Sequence, residues 1–354
     1  MSEADVLTQA RDVGGPQQPL LEVRHMSKHF PVRGGFIGKA GVVRAVDDVS
    51  FSVAKGEVLG IVGESGCGKS TTARLVIGLI EPDAGSIVLD GEKLGGDLTL
   101  RELRRRVQMV FQDSYASLNP RLTIEQSIAF GPMVHGVSEK EARARAHDLL
   151  RKVGLDPANF ADRYPHELSG GQRQRINIAR ALALSPRLVL LDEAVSALDK
   201  SVEAQVLNLL IDLKDELELT YVFISHDLNV VRFISDRVIV MYLGEVVESG
   251  PVEALWSDAR HPYTRALLSA MPSLDPDNRT KEAPIAGDPP NPINPPSGCR
   301  FHTRCQFAEA VCSATSPRPF ATGNDRHTAS CHMVDPASGH SKAGHSTAGE
   351  LTHA

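Results

Sequence analysis

The apolar run Val58-Leu59-Gly60-Ile61-Val62 ends directly in Gly63-Glu64-Ser65-Gly66-Cys67-Gly68-Lys69-Ser70-Thr71. No other stretch constrains the fold as strongly. The phosphate-loop pattern is complete, and it works only between a strand and a helix, because the phosphate oxygens are bound by first-turn N–H groups that have no partner within the helix. Gly63, Gly66 and Gly68 let the backbone approach those oxygens, Lys69 reaches the β- and γ-phosphates, and Ser70 is placed to ligate Mg²⁺. Glu64, Ser65, Cys67 and Thr71 complete the expected nucleotide-binding set.

A second anion-binding corner follows about a hundred residues later. Leu168-Ser169-Gly170-Gly171-Gln172 runs straight into the helix-like Arg173–Arg180, offering a hydroxyl and unobstructed glycine amides at a helix start. One nucleotide does not need two such grips within one chain. Two further apolar runs also stop at polar chemistry: Leu188–Leu191 leads into Asp192-Glu193, and Tyr221–Ile224 into Ser225-His226-Asp227. Continuous apolar strands with reactive groups at their C-terminal ends imply an α/β fold with a buried, largely parallel sheet and a site along that edge. Asp192 is suited to the Mg²⁺ shell and Glu193 to polarising water as a general base. Gln112, in Val110-Phe111-Gln112-Asp113, is long enough to touch both the ion and the attacking water. Asp199 and His226 follow in order.

Composition narrows the functional classes. The 354 residues are 42% hydrophobic and 23% charged, enough for one large domain and a smaller one. A formal charge of −6 gives no general attraction to nucleic acid or to an anionic membrane. No run approaches the ~18 apolar residues of a membrane span, and the Met1-Ser2-Glu3-Ala4-Asp5 start lacks signal-peptide character; a cytoplasmic chain that reaches a membrane through partners is expected. Residues 1–19 and 335–354 read as disordered tails, 115–180 as a mainly helical insert with Glu139–Val153 amphipathic, and the region after Gly250 as proline-rich.

Taken in order, Gly63–Thr71, Gln112, Leu168–Gln172, Asp192-Glu193, Asp199 and His226 resemble the ATP-binding subunit of an ATP-binding cassette transporter, over roughly residues 20–335. The resemblance implies a RecA-like core with an antiparallel β subdomain and a helical subdomain at 20–260, followed by a C-terminal region at 261–334. It also explains the second grip. In this family two cassettes dimerise head to tail, so Ser169, Gly170, Gly171 and Gln172 would close on ATP held by a partner's loop. Phe30 stands where the family places an adenine-stacking ring. The chromosome-type cassettes would need a long coiled coil that is absent here, and the translation-type would need two cassettes and basic arms.

Phe111–Pro120, Arg163–Glu167, Asp192–Asp199 and His261–Leu268 resemble the oligopeptide and dipeptide importers. The loop after Phe30 and the Ala194-Val195 pair resemble their F-type subunit. This implies a second ATPase subunit, expected to be a paralogue, two membrane permease subunits and an extracytoplasmic peptide-binding protein, with the chain on the cytoplasmic face of the inner membrane. Nickel and sugar importers share the C-terminal region and remain alternatives for cargo, and a metal- or redox-regulated ATPase is a third reading. Cys299, Cys305, Cys312 and Cys331 are spaced by five, six and eighteen residues. Four thiolates hold either Zn²⁺ or a [4Fe-4S] cluster; the resemblance favours the cluster, in a structural role. Cys67 reads as a small residue that fits its loop. His302, His327 and His332 are spare, and His340, His345 and His353 read as solvated.

Overall fold

The computed structural model describes residues 14–15, 17–32, 41–271, 287–322 and 326–344. Residues 1–13 and 16 of the first expected tail, 345–354 of the second with His345 and His353, and 33–40 of the loop after Phe30 lie outside the described residues. The chain begins with strands β1 (Leu21–Val32), β2 (Gly41–Val53) and β3 (Val58–Val62), then helix α1 (Lys69–Val76), β4 (Ala84–Leu89), β5 (Glu92–Lys93), α2 (Leu100–Arg106) and β6 (Val107–Val110). Four helices follow: α3 (Ile124–Val134), α4 (Glu139–Lys152), α5 (Pro157–Phe160) and α6 (Gly170–Leu182). Strand β7 (Leu188–Asp192), α7 (Lys200–Leu217), β8 (Thr220–Ile224), α8 (Leu228–Ile234), β9 (Arg237–Tyr242) and β10 (Glu245–Pro251) complete the central part. The C-terminal segment adds α9 (Val252–Asp258), α10 (Pro262–Ser269), α11 (Ala310–Ala314), β11 (Phe320–Ala321) and β12 (Thr328–Ala329).

The strands form two sheets. One has the order β2-β1-β4-β5 and is antiparallel; the other runs β11-β12-β10-β9-β3-β8-β7-β6. In the larger sheet β9, β3, β8, β7 and β6 are parallel neighbours. The three apolar runs read from sequence are β3, β8 and β7, side by side. Their uniform apolarity follows from burial on both faces: Leu59, Ile61, Leu188, Leu190, Val222 and Ile224 join the core beneath the smaller sheet. The alternate residues Val58, Val62, Val189, Leu191, Tyr221 and Phe223 join the core shared with the helices.

Helix starts are sealed locally. Thr123 and Ser169 each accept from the backbone N–H three residues on, with Gln126 and Gln172 bonding back, a full capping box at α3 and α6. At the C-terminal end, β12 pairs with β10, so the last described segment extends the main sheet. His340 corrects the expectation of a solvated tail: it is buried, its Nε2 2.9 Å from Phe307 O. No helix among the described residues is long and apolar enough to cross a membrane.

Leu190 is fully buried in the centre of β7. Leu190→Ala should destabilise the chain by about 2–5 kcal/mol in urea unfolding; an unchanged midpoint would place the core elsewhere.

Candidate nucleotide-hydrolysis site

The phosphate loop leaves β3 at Gly63 and enters α1 at Lys69. Its backbone is possible only with glycine at two points. Gly63 has φ 149° and a Cβ there would lie 2.2 Å from Met241 O; Gly68 has φ 109° and a Cβ would lie 2.2 Å from Ala45 O. Cys67 is buried beneath the loop, and that burial raises its thiol pKa, which agrees with a packing role. Ser65 and Gly66 stay exposed at the mouth, and Thr71 is partly buried in the first turn of α1. Lys69 is buried and folds back, its Nζ donating to Gly63 O at 2.7 Å and to Glu64 O at 3.0 Å.

The parallel order brings the other strand ends to this loop. Ser70 Oγ donates to Asp192 Oδ1 at 2.8 Å, joining α1 to the end of β7. Asp192 is 2% exposed, and burial raises its pKa against the hydrogen bond from Ser70. This hydroxyl and carboxylate are the hard oxygen donors that Mg²⁺ prefers. Glu193 follows with φ 48°, a left-handed conformation costing a non-glycine residue about 1–2 kcal/mol. Its N–H is held by Ile224 O at 2.9 Å, and the turn swings its side chain off the strand end. There Glu193 Oε2 accepts from Gln112 Nε2 at 2.8 Å and lies 3.5 Å from His226 Nδ1. Gln112 and His226 therefore converge on the Glu193 carboxylate, one residue on from the Ser70–Asp192 pair.

The remaining expected residues lie on other elements. Ser169 is exposed at the start of α6, and a Cβ on Gly171 would lie 2.5 Å from Val202 Cγ1, so α6 packs closely on α7 there. Gly170 and Gln172 form the rest of that first turn. Asp199 precedes α7 without a side-chain cap bond, its carboxylate at the exposed surface. Phe30 is 36% exposed and pairs with Val43, two residues before the Ala45 carbonyl that abuts Gly68.

Several contacts were not readable from the motifs. Asn177 and Arg180 of α6 hold the segment after Gln112: Asn177 Nδ2 donates to Ser114 O at 2.9 Å, and Arg180 donates to Ser117 O. Tyr263 and Arg304 both reach Glu64 from the C-terminal segment, 199 and 240 residues away. Tyr263 lies in the His261–Leu268 motif, which signalled likeness and not contact.

The four C-terminal cysteines line one small cavity together with His261 and His332. Burial pushes the Cys299 and Cys331 thiols up to about 12 and raises Cys305 as well. Yet among the described residues no group of three or more His, Cys, Asp or Glu is arranged to hold a metal ion. The expectation of a metal-bound tetrad is met only as far as a shared cavity with sulfur donors. Of the histidines read as spare, His302 and His332 line the cavity, with His302 Nδ1 2.8 Å from Cys299 O and His332 Nε2 2.8 Å from Thr315 O, while His327 Nε2 lies 2.8 Å from buried Glu248.

Gly68→Ala combines a strained φ with a collision against Ala45 O. It should weaken MgATP binding by roughly tenfold or more in a fluorescent-nucleotide titration; wild-type affinity would remove Gly68 from the loop's function.

Residues 46–196 match the family described as "ABC transporter", and residues 247–312 match "Oligopeptide/dipeptide transporter, C-terminal region". The chain is 52% identical over 323 residues to the probable peptide ABC transporter ATP-binding protein y4tS of Sinorhizobium fredii, covering 90% of this chain and 91% of that one. It is 49% identical over 324 residues to the oligopeptide transport ATP-binding protein AppF of Bacillus subtilis, covering 90% and 98%. Among solved structures, the dimeric, ADP- and Pi-bound ATP-binding cassette MJ0796 matches with a TM-score of 0.56 and 32% identity, over 66% of this chain and 98% of that one. The chain belongs to the ATP-binding cassette transporter family, among the ATP-binding proteins of its oligopeptide and dipeptide branch.

Proposed function

We propose that this chain is the ATP-hydrolysing subunit of a bacterial importer of oligopeptides or dipeptides, at the cytoplasmic face of the inner membrane. The convergence of Gln112 and His226 on Glu193, one residue on from the Ser70–Asp192 pair, carries the ATPase reading. Similarity to peptide-transport proteins over 90% of the chain supports the cargo.

In the mechanism, backbone amides of Gly63–Thr71 receive the phosphates and Phe30 offers a ring face to the adenine. Lys69 exchanges its loop carbonyls for phosphate oxygens. Ser70 and Asp192 would hold Mg²⁺, which would supply neutralisation of phosphate charge. Glu193 takes the proton of the attacking water, oriented by Gln112, while His226 steadies the carboxylate and faces the γ-phosphate. Ser169, Gly170, Gly171 and Gln172 serve the nucleotide of a second cassette, with Asp199 at the same interface, so the isolated chain is a poor ATPase.

Closure is passed to two permease subunits through the helical insert, since Asn177 and Arg180 tie the segment after Gln112 to the helix that starts at Ser169. An apolar surface suits such docking: Phe130, Met133 and Val134 of α3 are exposed, as is Leu100 of α2, and Arg101 of α2 donates to Val134 O. An extracytoplasmic peptide-binding protein delivers the cargo. The second cassette is expected to be a paralogue.

The cysteine cavity is read as the seat of a [4Fe-4S] cluster, with Zn²⁺ as the alternative. Its sulfurs are the right donors for either, and bound metal would offset the cost of ionising buried thiols. The role is structural, stapling a segment poor in apolar core.

Glu193→Gln should bind ATP and associate with its partner while hydrolysis falls by about 100-fold or more; undiminished turnover would remove Glu193 from the role. Ser169→Ala in a mixed assembly should impair the partner's nucleotide site, and a defect confined to this chain's own site would refute the head-to-tail arrangement. Anaerobic purification with iron, sulfide and zinc analysis decides the metal: about four irons and four sulfides per chain identify the cluster, one zinc identifies the alternative, and neither removes both.

A further inference from the structure

Glu64 is the most heavily restrained residue of the phosphate loop. Its N–H donates to Tyr263 Oη at 2.8 Å, its carbonyl accepts from Lys69 Nζ at 3.0 Å, and its carboxylate receives both Arg304 guanidinium nitrogens, at 2.9 and 3.2 Å. Two of these restraints come from the C-terminal segment. Tyr263 is on α10, fully buried, with its ring packed on Tyr242 at 4.6 Å and on Phe301 at 5.4 Å, so its hydroxyl has one place to point. Arg304 lies immediately before Cys305; its side chain is 6% exposed and also donates to Gly287 O at 3.0 Å.

The loop between Gly63 and Gly66 is intrinsically loose, since glycine restricts the backbone least. When Lys69 leaves the Gly63 and Glu64 carbonyls for a phosphate, the Glu64 carbonyl keeps only the Cys67 N–H, at 3.2 Å, as a partner within the loop. The outer two remain. A forked, partly buried Arg–carboxylate pair fixes geometry more than it adds net stability, which is what a cradle of backbone amides requires. We propose that Tyr263 and Arg304 are positioning residues for ATP, holding Glu64 so that the neighbouring amides keep their phosphate-binding arrangement as Lys69 swings away. This rests on reading Gly63–Thr71 as the ATP loop. It gives the His261–Leu268 motif and the cysteine-bearing turn a direct part in nucleotide affinity.

The test is titration of the full-length chain with a fluorescent ATP analogue and Mg²⁺, followed by steady-state ATPase assays in the assembled transporter. Arg304→Gln should raise Kd about tenfold and Tyr263→Phe about threefold, with Arg304→Lys recovering part of the loss. Because one loop residue links them, Glu64→Gln combined with Arg304→Gln should be no worse than Arg304→Gln alone. In the assembled transporter KM for ATP should rise with kcat held within about twofold, the signature of lost positioning in binding and not of lost chemistry. Wild-type Kd in both Arg304→Gln and Tyr263→Phe, or multiplied losses in the double variant, would overturn the proposal. If Arg304→Gln does not fold, Tyr263→Phe carries the test, since it removes a single oxygen. Lys69→Ala separates the two levels: wild-type binding that Lys69→Ala abolishes upholds the ATP-loop reading whatever Arg304 does. Failure of the wild-type chain to bind MgATP overturns both.

Discussion

Asp192 is a carboxylate that folding has driven almost completely out of water, and its hydrogen bond to Ser70 is what makes that burial tolerable. Burial of this kind favours the uncharged form. An adjacent cation reverses that preference, so the residue is unfavourable to the empty protein and well matched to a metal-bound nucleotide. Everything else at the site is arranged around this point. The Ser70 hydroxyl comes from the helix that the phosphate loop begins, and Glu193 is the next residue along the chain, turned outward by its left-handed backbone.

That meeting depends on strand order. β3 and β7 are separated by β8, all three parallel and in register, so their C-terminal ends lie on one edge although their sequences are far apart. Burial of both sheet faces fixes the register, because a slip of one residue would exchange the residues assigned to the two cores. The helices between β6 and β7 end in α6, whose capping Ser169 is open to solvent. A helix start with a capping box, spare amides and an exposed hydroxyl is suited to an anion supplied by another molecule.

Much of this was legible in the chain itself. Apolar runs ending in Gly63, Asp192 and Ser225 gave away both the parallel sheet and its reactive edge, because only strands buried on two faces lack alternation. Of the motif residues, Ser70 meets Asp192, and Gln112 and His226 meet Glu193. What stayed hidden was contact at long separation without periodic signal. Arg304 reads as one more charge beside a cysteine, yet it pairs with Glu64 of the loop. Two-residue strands such as β12 carry too few residues for alternation to show. His340 sits in small, polar sequence that suggests solvent, and is buried only because the chain folds back over Phe307. The cysteine spacing identified donors but not their geometry, which depends on how the whole segment wraps.

We propose that a second chain completes the site. Site-specific photo-crosslinking from position 169 in the assembled transporter, with and without MgATP, tests it most directly. An ATP-dependent product joining Ser169's position to the phosphate-loop peptide of the second cassette is expected. A product joining it to this chain's own Gly63–Thr71 peptide would contradict it.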